Sequence, residues 1–82
     1  MRDTLRSPRQ IELRTLLRNR RRGLTQAAVA KRLDKPQSFV AKYERGERRL
    51  SAIEFIDVVR ALGAEPAVVL RQLIDAIDRA SP

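Results

Sequence analysis

The sequence predicts a small all-α domain of five helices. Apolar residues recur at intervals of three and four, a capping residue or a proline marks the start of each predicted helix, and aromatic residues make up only 4% of the chain. The 82 residues are enough for one hydrophobic core. We predict a mobile arm over residues 1–6 and a single helical domain over residues 7–80.

The first helix is predicted to begin after Ser7, which offers a capping hydroxyl, with Pro8 at the first helical position. It should end before Gly23, because glycine readily adopts the left-handed conformation found beyond a helix. One face carries Leu13, Leu16, Leu17 and Arg20 at helical spacing. We expect this face to pack against the rest of the domain.

Two short helices follow, separated by a tight turn. Thr25 caps the second helix, which Lys35 ends because the residue before a proline avoids helical geometry. Pro36 begins the third helix and Gly46 ends it. The inward face of the third helix carries Val40 and Tyr43, and the outward face carries Ser38, Lys42 and Arg45.

The last two helices are predicted from a capping box and a proline. Ser51 and Glu54 have the spacing of a capping box, and the helix that they begin ends at Gly63. Pro66 begins the fifth helix. Its wide apolar face carries Val69, Leu70, Leu73, Ile74 and Ile77.

The charge of the chain is uneven. Residues 1–49 hold 15 basic and 5 acidic side chains, whereas residues 50–82 hold 3 basic and 5 acidic ones, which gives net charges of +10 and −2. A basic half of this kind predicts a polyanionic partner, although it is also compatible with a solvated surface. The longest apolar run has four residues and there is no Trp, so we predict a cytoplasmic protein without membrane contact.

The composition also limits the possible chemistry. The chain has no Cys and no His, which excludes disulfides, thiolate or imidazole metal sites and catalysis by a histidine base or cysteine nucleophile. The acidic residues lack a companion catalytic motif. We therefore predict no enzyme activity and no cofactor.

Helices 2 and 3 have the features of a helix-turn-helix. They are short, closely joined and placed in the basic half, with the small Ala30 ten residues before Val40. In such a motif the second helix enters the major groove of double-stranded DNA. The alternative is a helical hairpin with a purely structural role.

The segments GLTQAAVAKRL (residues 23–33) and PQSFVAKYERGERRL (residues 36–50) carry a family resemblance. Together with the helices that follow, they resemble the Cro/repressor-type (XRE) helix-turn-helix regulators of bacteria and phages, over roughly residues 8–78. The resemblance implies the all-helical fold of the phage lambda repressor DNA-binding domain. It also implies a sequence-specific transcription regulator, expected to be a repressor that binds a palindromic operator as a homodimer.

Two positions depart from the family pattern. Asp34 occupies a turn position where the family usually has Gly, but Asp tolerates left-handed geometry better than most residues, so the turn should form. In the family, an Arg late in helix 1 also pairs with the Glu of the Glu-Arg-Gly motif. When this sequence is aligned with the family without a gap, Asn19 occupies the position of that Arg. We predict that Arg20 replaces it and forms an ion pair with Glu44.

The resemblance also implies the residues that contact DNA. Gln26 would hold a phosphate and brace Gln37, which would read an adenine edge. The other expected contacts, to bases or phosphates, come from Ser38, Lys42, Arg45, Arg48 and Arg49. The alternatives are that Gln26 is only a good helix former and that the basic residues are only solvated. Phe39 would contact a thymine methyl or sugar, or else belong to the core.

Dimerisation is expected through helix 5. The predicted interface consists of Ile53, Val68, Val69 and Leu73, although the same apolar face is also compatible with a purely internal role. A second hypothesis is an antitoxin or adaptor that uses helix 5 to bind a toxin or other partner protein.

Overall fold

The computed structural model describes residues 4–80. This part of the chain is all-α, as the sequence predicts, and contains no strand. The helices are α1 (Pro8–Arg20), α2 (Gln26–Leu33), α3 (Gln37–Arg45), α4 (Ala52–Ala61) and α5 (Pro66–Ala80).

Side-chain hydroxyls cap the starts of α1, α2 and α4. Thr25 Oγ1 accepts a hydrogen bond from the Ala28 backbone N–H at 3.0 Å, at the start of α2. At α4 the predicted capping box is complete, because Ser51 Oγ accepts from the Glu54 N–H and Glu54 Oε1 accepts from the Ser51 N–H. Ser7 Oγ caps α1 by the same kind of bond. These local bonds satisfy N–H groups that no helical carbonyl reaches.

The predicted N-terminal arm lies only partly within the described residues, since residues 1–3 fall outside them. From Thr4 onward the chain forms a turn, in which the Ser7 N–H donates to the Thr4 carbonyl at 3.0 Å. Arg14 Nη1 donates to the carbonyl of Leu5. This part of the arm is thus joined to α1.

The core receives side chains from all five helices. Its fully buried members are Leu17, Val29, Val40, Tyr43, Val58, Val59 and Val69. Ala30 is also buried, and its small side chain lets α2 and α3 pack closely. Because α3 packs against both α1 and α2, its core face is covered and its opposite face is left to solvent.

The turn between α2 and α3 forms in the way that the sequence predicts. Asp34 adopts the left-handed conformation, with φ 56° and ψ 44°, at the C-terminal end of α2. The N–H of Lys35 then donates to the Ala30 carbonyl at 3.0 Å, which closes the helix end. This geometry sets the direction in which α3 leaves the turn.

Replacing Asp34 with Gly is expected to stabilise the domain by about 0.5–1 kcal/mol, because the left-handed conformation costs a residue with a Cβ more than it costs glycine. Urea denaturation followed by circular dichroism measures the change. Asp34→Ala is the matched control and should be less stable than the parent. A Gly variant no more stable than the Ala variant would contradict this account of the turn.

Candidate nucleic-acid interface

The outward face of α3 consists of exposed polar side chains, namely Gln37, Ser38, Lys42 and Arg45. They share one side of the helix because their spacing follows the helical repeat. The opposite side is buried. The polar face therefore begins at the N-terminal end of α3 and extends along the whole helix.

Phe39 is not part of this face, so the prediction that it contacts DNA is wrong. Its side chain is only 9% exposed and belongs to the core. It lies four residues before Tyr43, hence on the same side of the helix, and the two rings meet edge to face with centroids 5.7 Å apart. Of the two roles left open for Phe39, the structure supports the core.

A chain of polar contacts joins the end of α1 to the start of α3. Arg21 Nε lies 2.6 Å from Glu44 Oε2, and Arg21 Nη2 lies 3.1 Å from Glu44 Oε1. Gln26 Nε2 donates to Glu44 Oε1 at 2.9 Å, and Gln37 Nε2 donates to Gln26 Oε1 at 3.5 Å. We call these four residues the polar chain. Both predicted glutamines belong to it, so the exposed amide of Gln37 is connected to a largely buried ion pair.

The predicted ion pair between Arg20 and Glu44 is wrong. Arg21 is the partner of Glu44, whereas Arg20 Nη2 donates to Gln72 Oε1 of α5 at 2.7 Å. The physical reason is helical register. Arg21 follows the buried Leu17 by four residues, on the side of α1 that meets α3, and Arg20 lies on the side that meets α5.

Arg48, a predicted phosphate ligand, forms an ion pair with Glu54 in the absence of DNA. Nη1 and Nη2 donate to the two Glu54 oxygens at 2.9 and 2.7 Å, and Nη1 also donates to the Arg49 carbonyl. The guanidinium carbon lies 4.6 Å from the centre of the Phe39 ring. Arg48 thus joins the loop after α3 to the start of α4, and its contact with phosphate stays a prediction.

The pair between Arg48 and Glu54 should make stability depend on acid pH. Hydrogen bonds from the Arg48 guanidinium and then from the Ser51 backbone N–H lower the pKa of Glu54 from 4.5 to about 2. A lowered pKa in the folded state adds stability above pH 4.5, and this stability is lost as the pH falls toward 2. We expect Glu54→Gln to cost about 1 kcal/mol at neutral pH, since the pair is partly exposed.

Urea denaturation at a series of pH values tests this expectation. The variant should lose less stability than the parent between pH 4.5 and 2. Asp75→Asn is a matched control, because Asp75 pairs with Arg71 on the exposed side of α5. Parallel pH curves for the parent and Glu54→Gln would show that the pair does not stabilise the fold.

The remaining basic candidates are exposed. Arg45 Nε lies 3.0 Å from Glu47 Oε2, but both side chains are more than half exposed, so this pair contributes little stability. Arg49 and Lys42 are exposed as well. Arg45 can therefore exchange its carboxylate for a phosphate at small cost.

The residues of the predicted helix 5 interface differ in their exposure to solvent. Val69 is completely buried and belongs to the core, so the prediction that it lies in a dimer interface is wrong. Ile53 and Val68 are 68% and 51% exposed, and Leu73 is half-buried. The physical reason is the helical repeat: adjacent residues of a helix point in different directions, so Val69 faces the core while Val68 faces solvent.

An apolar groove of about 390 Å³ lies between α1, α4 and α5, with Leu13, Phe55 and Leu70 among its lining residues.

Sequence reasoning missed two arginines that connect α1 to α3. Arg21 is one, and its spacing from Leu17 was the available signal. The other is Arg14, whose guanidinium passes so close to Gly46 that a Cβ there would lie 2.7 Å from Arg14 Cζ. Arg14 lies three residues before Leu17 on the same side of α1. Arg21 thus pairs with the C-terminal part of α3, and Arg14 packs beside the glycine that ends it.

A basic domain whose short α3 follows α2 through a tight turn and presents a polar face to solvent is a helix-turn-helix DNA-binding protein. Comparison of the sequence with models of known protein families gives the same class of protein. The model of the helix-turn-helix family HTH_3 matches residues 15–69, and the chain belongs to that family. It is a regulator of the XRE type, a class of DNA-binding proteins rather than enzymes.

Solved structures show the same architecture. An XRE-family like protein from Pseudomonas syringae pv. tomato str. DC3000 is 45% identical, with a TM-score of 0.79, 82% of this chain covered and 84% of that one. The clp gene regulator ClgR from Corynebacterium glutamicum is 26% identical, with a TM-score of 0.74 and coverage of 88% and 79%. A search of curated protein sequences finds no significant match.

The fold is also that of the restriction-modification controller protein C.Esp1396I, solved as a tetramer with its natural 35 base-pair operator. Its identity to this chain is 20% and its TM-score is 0.78, with 87% of this chain and 96% of that one covered. In residues 4–80 of the present chain, no helix is long and apolar enough to span a membrane.

Proposed function

We propose that the chain represses transcription by binding a palindromic operator as a homodimer, with the outward face of α3 in the major groove. The observation that carries the proposal is the exposed amide of Gln37 at the first position of α3, hydrogen-bonded to Gln26. In helix-turn-helix complexes the N-terminal residues of the second helix contact base edges. A pre-positioned amide at that place is suited to sequence readout.

The residues of the interface divide into two roles. Gln37 and Ser38 stand at the leading end of α3 and are assigned to bases, with a two-point amide contact from Gln37 to adenine. Lys42, Arg45 and Arg49 are assigned to phosphates, along with Gln26 at the start of α2. A guanidinium offers several N–H groups to phosphate oxygens, which supports the assignment of the arginines.

The homodimer is proposed at the exposed apolar side chains near the start of α4 and along α5. Ile53, Val68 and Leu70 are 68%, 51% and 47% exposed and are costly to leave in water. One domain of this size contacts few base pairs, whereas a symmetric pair doubles the number. Two-fold symmetry would place the half-sites about one helical turn, or roughly 34 Å, apart.

Selection from a pool of random DNA duplexes tests the DNA-binding proposal. The expected product is an inverted repeat whose half-site centres are about one helical turn apart. A pool without enrichment would overturn the proposal. Sedimentation of the free protein and of a Val68→Asp variant then tests the dimer, since a charge at this exposed position should weaken association without unfolding the domain.

An interaction module is the second candidate, because the same exposed apolar side chains suit another protein. A monomer that selects only an isolated half-site would favour this alternative. The partner would then be a different chain, such as a toxin encoded beside this protein, and co-expression followed by purification would identify it.

A further inference from the structure

We propose that Glu44 is a positioning residue that makes Gln37 prefer adenine over guanine. The inference rests on the proposed reading of a base by Gln37. Glu44 lies in the polar chain between Arg21 and Gln26, and it acts on Gln37 through Gln26. Its effect is on the choice of base rather than only on the stability of the fold.

Glu44 can only accept hydrogen bonds from its neighbours. Its side chain is only 5% exposed, and Arg21 donates to both of its oxygens. An ionised carboxylate accepts hydrogen bonds and donates none. Gln26 must therefore turn its NH₂ group toward Glu44, as the 2.9 Å contact between Gln26 Nε2 and Glu44 Oε1 shows.

The orientation of Gln26 in turn determines that of Gln37. With its NH₂ group facing Glu44, Gln26 presents Oε1 to Gln37, which donates from Nε2 at 3.5 Å. The free edge of Gln37 then offers one N–H donor and one carbonyl acceptor. Adenine has the complementary acceptor and donor at N7 and N6, whereas guanine has two acceptors, N7 and O6. The polar chain therefore matches Gln37 to adenine.

A reversed polar chain would match guanine instead. If the amide of Gln26 turned over, its NH₂ group would donate to Gln37 Oε1 and leave both N–H groups of Gln37 for the base. Glu44→Gln should allow this reversal. The oxygen of the new amide is expected at the Oε2 position, where the Arg21 contact is shortest at 2.6 Å, so the new NH₂ group would face Gln26 and turn it.

Parallel selections from random duplexes test the inference with the parent chain and Glu44→Gln. The parent should enrich adenine at one position in each half-site. In Glu44→Gln the preference for adenine over guanine at that position should fall by about tenfold or more, the usual range for a good two-point contact. Preferences at the other positions should stay as in the parent.

Two further variants separate readout from stability. Gln26→Ala interrupts the polar chain but leaves the ion pair between Arg21 and Glu44 in place, so it should lose the adenine preference even if Glu44→Gln does not fold. Glu54→Gln breaks an ion pair of the same type outside the polar chain. It should keep the adenine preference of the parent.

A double variant, Glu44→Gln with Gln26→Glu, should restore the adenine preference. The new amide at position 44 would donate to the new carboxylate at position 26, and that carboxylate would again accept from Gln37 Nε2. This variant has the same net charge as the parent. Its affinity for every duplex should fall because of the added negative charge near phosphate, so the base preference is the quantity compared.

The outcomes separate the inference from the proposed function. No enrichment by the parent overturns the proposed function and this inference with it. Enrichment by the parent, with an unchanged adenine preference in Glu44→Gln or in Gln26→Ala, overturns the inference alone. Equal weakening of Glu44→Gln on all duplexes would mean that Glu44 has only a structural role.

Discussion

Replacing Arg21 with Ala is expected to lower the free energy of unfolding by about 3 kcal/mol, because it leaves a largely buried carboxylate without its cation. Glu44 would retain the Gln26 amide but lose two charge-assisted hydrogen bonds. The bond from Arg21 Nη1 to the Leu24 carbonyl, which fastens the loop between α1 and α2, would also be lost. Urea denaturation at neutral pH measures the change.

Arg20→Ala is the matched control, since Arg20 is the adjacent residue and has the same charge. Its hydrogen bond to Gln72 is exposed, so its loss should cost less than about 1 kcal/mol. Similar losses in the two variants would contradict the pairing of Arg21 with Glu44. A larger loss in Arg20→Ala would support the pairing that the sequence predicts.

Replacing Gln37 with Ala is expected to remove about 1–3 kcal/mol of discrimination between the preferred base pair and its competitors, because the two-point amide contact is lost. Affinity for random duplexes should change little. The slope of log K against log salt should also stay the same, since the amide carries no charge. Fluorescence anisotropy with selected and random duplexes at several salt concentrations measures all three quantities.

Arg45→Ala is the comparison for this variant. As a proposed phosphate contact, Arg45 should contribute equally to all duplexes, so its loss should weaken each of them and reduce the salt slope by about 1. The pair with Glu47 is too exposed for its loss to unfold the domain. Loss of base preference in Arg45→Ala, with none in Gln37→Ala, would reverse the two assigned roles.

Local signals in the sequence predicted most of the fold. The hydroxyls of Thr25 and Ser51 begin α2 and α4, and the left-handed residues Asp34 and Gly46 end α2 and α3. Each of these effects acts within a few residues, so it can be deduced without knowing what lies nearby in space. The same holds for the outward face of α3, which follows from the helical repeat.

The partners of the long charged side chains required the tertiary structure. The sequence placed several arginines near the end of α1, but the packing of α1 against α3 and α5 decided that Arg21 meets Glu44 and that Arg20 meets Gln72. The ion pair between Arg48 and Glu54 likewise forms because the packing brings the start of α4 close to the loop after α3. Such long side chains reach several neighbours, so a small rotation of one helix changes the partner.

The sequence by itself thus determined five helices, the approximate positions of their ends, the helix-turn-helix and the side of α3 that faces solvent, because capping and periodicity are local properties of the chain. Only the tertiary structure decided that Phe39 and Val69 are buried and that Gln37 is connected through Gln26 to a largely buried ion pair. Burial and long-range hydrogen bonds depend on the angles and distances between packed helices, which no local pattern specifies.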